Sequence, residues 1–256
     1  MPDAVRAAVA GYAWAPVEDG EGGARVARLD APGRPTLYLK WGAGWVGDDV
    51  AAEAARLDWL AGRVPVPEVR LFVRVPGAAY LLTTAVPGEA AYPYLAARPA
   101  ERAATAEALG AFLRRLHALP LAECPFHAGH ALRLAEARRH VAEGRVALDD
   151  FDAAHEGWTA EQVLDEALGL LPLPFERVVT HGDYSLDNVF VAGGRVTGCI
   201  DVGRAGAADP YQDLAVAWEH LAEFGPAAQA ALWRGYGLAE PDPRRVRFHL
   251  ALGELF

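Results

Sequence analysis

The sequence predicts an α+β protein in two lobes, a small antiparallel sheet with one helix set into it, followed by a larger and mainly helical lobe. Three observations carry that prediction. Residues from about 12 to 85 fall into short alternating runs separated by turn residues, residues 99–256 carry apolar positions mostly at helical spacing, and Val86-Pro87-Gly88 interrupts the pattern between them. The lobes are therefore set at residues 1–86 and 87–256.

In the first lobe, Tyr12–Val17 and Arg25–Leu29 flank Glu18-Asp19-Gly20-Glu21-Gly22-Gly23-Ala24. Thr36–Lys40 alternates around Leu37 and Leu39 with the period of two expected of a half-buried strand. Asp48 or Asp49 offers an N-cap for an alanine-rich helix over Val50–Gly62, with Val46, Val50, Ala54 and Leu57 at helical spacing. Glu53 falls beside that stripe, so its carboxylate points inward or along the boundary and calls for a cationic partner. Arg70–Val75 and Ala79–Ala85 form a hairpin around Pro76-Gly77. In the second lobe, Pro99–Ala118, Ala131–Gly144, Ala160–Leu171, Asp213–Glu223, Ala227–Tyr236 and Arg244–Phe256 read as helices. Val178–Thr180, Asn188–Val191 and Arg195–Asp201 read as one short sheet, the last two strands joined through Gly193-Gly194.

Composition narrows the function classes. A hydrophobic content of 52% over 256 residues excludes a disordered or fibrous chain. With 34 Asp and Glu against 24 Lys and Arg, the net charge of −10 argues against nucleic acid as a partner and suits a cationic small substrate, although acidity for solubility alone reads equally well. The two cysteines, Cys124 and Cys199, lack the spacing of a disulfide framework or a zinc site. No basic leader and no apolar run of membrane-spanning length is present, so the expected location is the cytoplasm, with no membrane partner.

The richest chemistry lies between Thr180 and Asp201. Asp183 leaves one strand end, Asn188 closes the loop and Asp201 ends the next strand, which converges three oxygen groups from backbone-pinned positions. Phosphoryl transfer needs that layout, because its catalysis is mainly positioning and charge neutralisation, and an all-oxygen set favours Mg²⁺ over zinc. Any one of the three alone would be an ordinary turn former. His181 lies near the same point as ligand, base or structural donor; a histidine at a strand end favours the structural role. Lys40 ends its strand, and with Glu53 it matches the lysine–glutamate pair that aims an ammonium at nucleotide phosphates. Alone it would be an exposed strand-end charge. Gly20–Ala24 is flexible enough for backbone N–H groups to approach phosphates, which makes Gly22 and Gly23 nucleotide candidates, but it is not a GxGxxG pattern.

His181-Gly182-Asp183 with Asn188, then Ile200-Asp201-Val202-Gly203-Arg204, closely resembles the signature of the aminoglycoside 3′-O-phosphotransferases, kanamycin and neomycin kinases with a two-lobed protein-kinase-like fold. The resemblance extends through Tyr38-Leu39-Lys40, Glu53, Leu57-Asp58-Trp59-Leu60, residues 85–88, Glu136-Ala137-Arg138-Arg139, residues 146–152, Gly157-Trp158, residues 206–209 and Glu254-Leu255-Phe256. It implies Asp183 as the catalytic aspartate, Asn188 and Asp201 as Mg²⁺ ligands, and Lys40 on the phosphates with Glu53 as its partner. It further implies Tyr38 against the adenine ring and the backbone near Thr84 and Val86 on its edge, with ATP as the donor and GTP an open second nucleotide. Asp150, Asp152, Arg204, Glu254 and the C-terminal Phe256 would meet a polyamine sugar. Where many relatives have a loop serine this chain has Gly22, and Ala153 and Gly253 stand where acidic residues are common. The expected function is thus ATP-dependent phosphorylation of an aminoglycoside 3′-hydroxyl, giving antibiotic resistance. The alternatives are the same fold acting on another small alcohol, such as choline, homoserine or a macrolide, and a metal-dependent hydrolase using His181, Asp183 and Asp201, which would have no use for Lys40 with Glu53.

Overall fold

The computed structural model describes residues 1–17 and 23–256. The chain divides into two compact units: Met1–Glu89 with Phe190–Ala192 and Thr197–Arg204, and Ala90–Val189 with Gly193–Val196 and Ala205–Phe256. Among the described residues no helix is long and apolar enough to cross a membrane.

The first unit opens with a short helix, α1 (Asp3–Ala8), and is built on an antiparallel sheet of β1 (Ala13–Val17), β2 (Arg25–Asp30), β3 (Leu37–Ala43), β4 (Val69–Val75) and β5 (Ala78–Thr84), in the order β1-β2-β3-β5-β4. Alternation along β3 sends Leu37 and Leu39 into a core with Ala27, Leu29 and Leu82, which Val5 and Val9 cover. Lys40 therefore takes the opposite face, opposite Leu81 in register. That face receives α2 (Trp45–Leu60), which buries Val50, Glu53, Ala54, Leu57 and Leu60. The expected caps Asp48 and Asp49 are not the start of this helix. Its N-cap is Gly44 at φ +59°, and Asp48 lies in the first turn, paired with Arg74 at 2.5 Å. The reason is steric: a Cβ on Gly42 would lie 2.3 Å from Val46 Cγ1, so only glycine lets the strand turn straight into the helix here.

The remaining elements are β6 (Glu89–Ala90), α3 (Ala91–Ala97), α4 (Arg102–His117), α5 (His130–Glu143), α6 (Ala160–Gly169), β7 (Val178–Thr180), β8 (Val189–Ala192), β9 (Arg195–Cys199), β10 (Gly206–Ala208), α7 (Tyr211–His220), α8 (Pro226–Tyr236) and α9 (Pro243–Gly253). The expected single sheet of β7, β8 and β9 is corrected: β8 lies between β6 and β9, whereas β7 pairs antiparallel with β10, Thr180 opposite Gly206. The Gly-Ala-Ala of β10 has none of the β-branched residues that mark a strand; it is extended because its backbone pairs with Val178–Thr180 and takes the N–H of Ala128. In the second unit, α4 and α8 meet backbone to backbone. A Cβ on Gly110 would sit 2.1 Å from the Leu232 carbonyl oxygen, and one on Gly235 would sit 2.0 Å from that of Glu107. A second cluster joins α5, α6 and α9 through Leu134, Ala137, Val163, Ala167, Phe248 and Leu252.

Because no side chain can give way at the α4–α8 crossing, Gly110→Ala is expected to cost about 1–3 kcal/mol, a fall of several degrees in the thermal midpoint. Gly169→Ala, where an added Cβ meets nothing within 4 Å, should leave the midpoint within about a degree or two. Calorimetric melts of both variants check the contrast.

Candidate active site

In the first unit, Lys40 Nζ lies 2.8 Å from Glu53 Oε2 and 2.5 Å from Asp201 Oδ1. Burial disfavours the charged ammonium, but the two carboxylates outweigh it and hold the Lys40 pKa above its ordinary value. The lysine is thus a fixed positive charge with its side chain still 26% exposed. Glu53 is the buried member, as its place beside the helix stripe predicts, and a Cβ on Gly203 would lie 3.6 Å from its own Cβ. Asp201 is the one non-glycine among the described residues with positive φ, at +55°. An aspartate tolerates this left-handed geometry better than most residues, yet the position is still a strained one. Its side chain is 44% exposed.

Tyr38 stands on β3 opposite Thr83 and Arg28. At the end of β5, the Thr84 N–H donates to the Glu68 carbonyl and its hydroxyl accepts from the Glu68 N–H. Val86 lies against Gly198 of β9. Gly23 precedes β2 at φ +71° and approaches Val46, whereas Gly22 lies outside the described residues. Arg204 closes the 3-10 turn Val202–Arg204, also in the first unit.

In the second unit, Asp183 and Asn188 meet directly. Asn188 Nδ2 donates to the Asp183 carbonyl at 3.0 Å and to its Oδ2 at 3.1 Å. His181 is fully buried, and its Nδ1 accepts the Asp183 N–H at 3.3 Å, the structural role favoured from its position. Beneath the loop sits a residue that reading the sequence passed over. The carboxylate of Asp213, fully buried, accepts the N–H of His181 at 2.7 Å and of Gly182 at 2.8 Å, and lies 2.9 Å from His117 Nε2. His117 Nδ1 in turn is 2.9 Å from the Tyr236 hydroxyl, and Gln212 donates to the Gly182 carbonyl at 3.4 Å. Burial opposes ionisation of Asp213, but His117 and the loop amides keep its pKa below the usual value. A sequence signal existed. Asp213 shares its helix with the buried Leu214, Ala215 and Ala217, and His117 follows Leu113 at the i+4 position of α4, so both polar groups sit on apolar faces and need buried partners.

The remaining predicted carboxylates divide. Asp152 and Glu254 come together, the Asp152 N–H donating to Glu254 Oε1 at 3.1 Å. Asp150 is exposed on the 3-10 turn Leu148–Asp150. The Phe256 ring is held at α5, with the Arg133 guanidinium 3.6 Å over its face and the His140 ring against it edge-on.

With a lysine held between two carboxylates in one unit and an aspartate–asparagine pair on a pinned loop in the other, likeness to known proteins becomes decisive. The pattern of the phosphotransferase enzyme family matches residues 13–249. An aminoglycoside 3′-phosphotransferase of Escherichia coli is 50% identical over 262 residues, covering 100% of this chain and 95% of the relative. The chain belongs to the aminoglycoside 3′-phosphotransferase family. The crystal structure of an aminoglycoside 3′-phosphotransferase of type VIII superposes with a TM-score of 0.88 at 38% identity, covering 99% of this chain and 97% of that one. An aminoglycoside phosphotransferase of Streptomyces rimosus, in complex with ADP and streptomycin, superposes with a TM-score of 0.82 at 29% identity over 98% and 95% of the two chains. The kinase-like fold expected from the motifs is therefore the fold of this phosphotransferase.

Asp213→Ala strands His117 and two loop N–H groups, and urea unfolding at neutral pH should show a loss of about 3–5 kcal/mol. Asp209, fully buried, is bound by Arg245 and approached by His130 at 3.4 Å and His249 at 3.3 Å; burial works against its charge, but these donors hold its pKa far below the ordinary 3.8. A depressed carboxylate stabilises above the unfolded pKa and loses that contribution as pH falls. The stability gap between the native chain and Asp209→Asn should therefore narrow below about pH 4, as read from unfolding curves collected across that range.

Proposed function

We propose that this phosphotransferase moves the γ-phosphoryl group of ATP to the 3′-hydroxyl of a 2-deoxystreptamine aminoglycoside of the kanamycin or neomycin type, in the bacterial cytoplasm, and so confers resistance. The observation that carries the reading is Asp183, with one carboxylate oxygen held by Asn188 and its N–H by buried His181. The other oxygen, Oδ1, is then the acceptor for the substrate hydroxyl. It aligns that oxygen with the γ-phosphorus and takes the proton late, as the new P–O bond forms and the bond to the β-phosphate oxygen breaks. ADP leaves with that electron pair. Lys40, kept charged by Glu53 and Asp201, meets the α- and β-phosphates. Tyr38 and the strand end at Thr84 and Val86 take the adenine. Since the Thr84 N–H is already given to Glu68, a base edge there would meet its carbonyl.

The chemistry of the two proposed ligands, one in each unit, suits Mg²⁺. The amide nitrogen of Asn188 is turned to Asp183, which leaves its oxygen as a ligand, and Asp201 adds a partly exposed carboxylate, so the two supply hard oxygen donors. When bound, the ion neutralises phosphate charge. The 50% identity with a 3′-phosphotransferase, the ADP and streptomycin of the Streptomyces rimosus neighbour, and the neighbouring carboxylates of Asp152 and Glu254 support an amino-sugar acceptor. Asp150, Arg204 and Phe256 complete the residues proposed to face it, and Gly23 with Gly22 those proposed over the phosphates.

Asp183→Ala should lower kanamycin phosphorylation roughly 10²–10⁴-fold while calorimetric ATP binding stays near native; turnover at the native rate would sink the assignment. ADP release with kanamycin and neomycin but not with choline, homoserine or a macrolide separates the acceptor from its same-fold rivals, and lividomycin, which lacks the 3′-hydroxyl, reports whether that oxygen is the one modified.

A further inference from the structure

The side chain of His155 is 6% exposed and surrounded by three carboxylates from three separate elements. Its Nε2 is 2.7 Å from Glu166 Oε2 on α6, while its Nδ1 is 3.3 Å from Asp152 Oδ1 on the segment before α6 and 3.5 Å from Glu254 Oε1 just past α9. A carboxylate accepts, so the Glu166 contact fixes a proton on Nε2. A neutral imidazole would then aim its Nδ1 lone pair at two further carboxylate oxygens. Only the imidazolium, with N–H groups on both nitrogens, suits both sides of the ring. Asp152 Oδ1 also accepts the N–H groups of Ala154 at 2.8 Å and His155 at 3.1 Å, so ring, loop backbone and Glu254 form one tether. The other charged groups near it agree with this picture. Arg247 of α9 pairs with the far oxygen of Glu166, and Glu219 of α7, like Glu254, has its pKa raised by burial and by Asp152. The ring also borders a cleft of about 390 Å³ lined by Asp152, Trp158, Glu166, Trp218 and Arg247, through which its proton can exchange with solvent.

We infer that His155 is a positioning residue, whose protonated ring locks Asp152 to Glu254 as one anionic seat for the amino groups of the substrate. It rests on the reading that these two carboxylates meet an amino sugar. Loss of the proton turns attraction into repulsion at Nδ1, the segment carrying Asp152 is released, and affinity for the sugar falls with no change at Asp183 or Lys40. Burial disfavours the charge on His155, but Glu166 and Asp152 outweigh it and raise its pKa above 6.5. The tether is therefore complete below that value and is lost as pH rises through the raised one.

The test compares the native enzyme with His155→Gln, which is neutral at every pH, in steady state from pH 6 to 9. The KM for kanamycin should rise about tenfold at pH 6.5, equivalent to about 1.4 kcal/mol, with kcat and the KM for ATP within about twofold. The native-to-variant ratio of kcat/KM, in which the ionisation of the substrate amines cancels, should then fall toward one as pH approaches 9. A flat ratio, or an unchanged KM for kanamycin, overturns the inference while leaving the kinase reading intact; a native enzyme with no activity on kanamycin at all overturns the acceptor instead. An NMR titration of the native His155 ring covers the case in which the variant does not fold: a midpoint above 6.5 that kanamycin moves upward agrees, and a midpoint at or below 6.5 overturns the inference.

Discussion

The loop that carries Asp183 has no regular secondary structure of its own, and the carboxylate of Asp213 supplies what a helix or sheet would otherwise provide. It takes the two N–H groups that open the loop, and through His117 it reaches Tyr236, so α4, α7 and α8 converge on one buried charge. Such a charge is tolerated only when donors surround it. The cost of desolvating the carboxylate is offset by the charge-assisted hydrogen bonds it accepts. Tyr236, its pKa pushed up to about 12 by burial and by Asp213, stays a neutral phenol throughout the physiological range. The loop therefore has one low-energy shape, and the Asp183 side chain inherits its direction from it.

The same economy appears in the first unit with the signs reversed. There a cation, Lys40, is held between two anions, and one of them sits on a backbone that an L-residue seldom adopts. The ion pair at Asp201 and the strained φ belong together: the left-handed turn directs the carboxylate back to the lysine, and the attraction offsets part of the backbone cost. What results is a positive charge preorganised by the fold, held in place by its two carboxylates.

Much of this was legible in the chain itself. The period of two in β3 located Lys40 on the face away from Leu37 and Leu39, and the helical stripe of α2 turned Glu53 inward; both are short-range patterns, and the 2.8 Å contact between them follows from neighbouring elements. The contact of Asn188 with Asp183 was legible for the same reason, since only a short loop separates them. Harder to read were pairings decided at long range. β10 is a strand because β7 lies beside it, not because Gly-Ala-Ala prefers extension, and α2 starts at Trp45 because Gly42 lets Val46 close in, whereas Asp48 and Asp49 are good caps in isolation. Asp213 and His155 escaped notice, although the first is a polar residue on an apolar helix face. Their roles depend on partners as distant as His117 and Glu254, and spacing along the chain carries no record of those.

Asp150 and Asp152 lie on a stretch between α5 and α6 that holds only a single 3-10 turn, and Asp152 is tied down by side chains instead of by a ladder of backbone bonds. The Asp183 loop, by contrast, is locked into helices that cross at van der Waals contact around Gly110 and Gly235. Heritable change meets very different resistance in the two places. Substitutions in the tethered stretch meet only side-chain contacts that can be remade, whereas those around the Asp183 loop meet close-packed backbone, so sequence can drift in the one place while it stays fixed in the other.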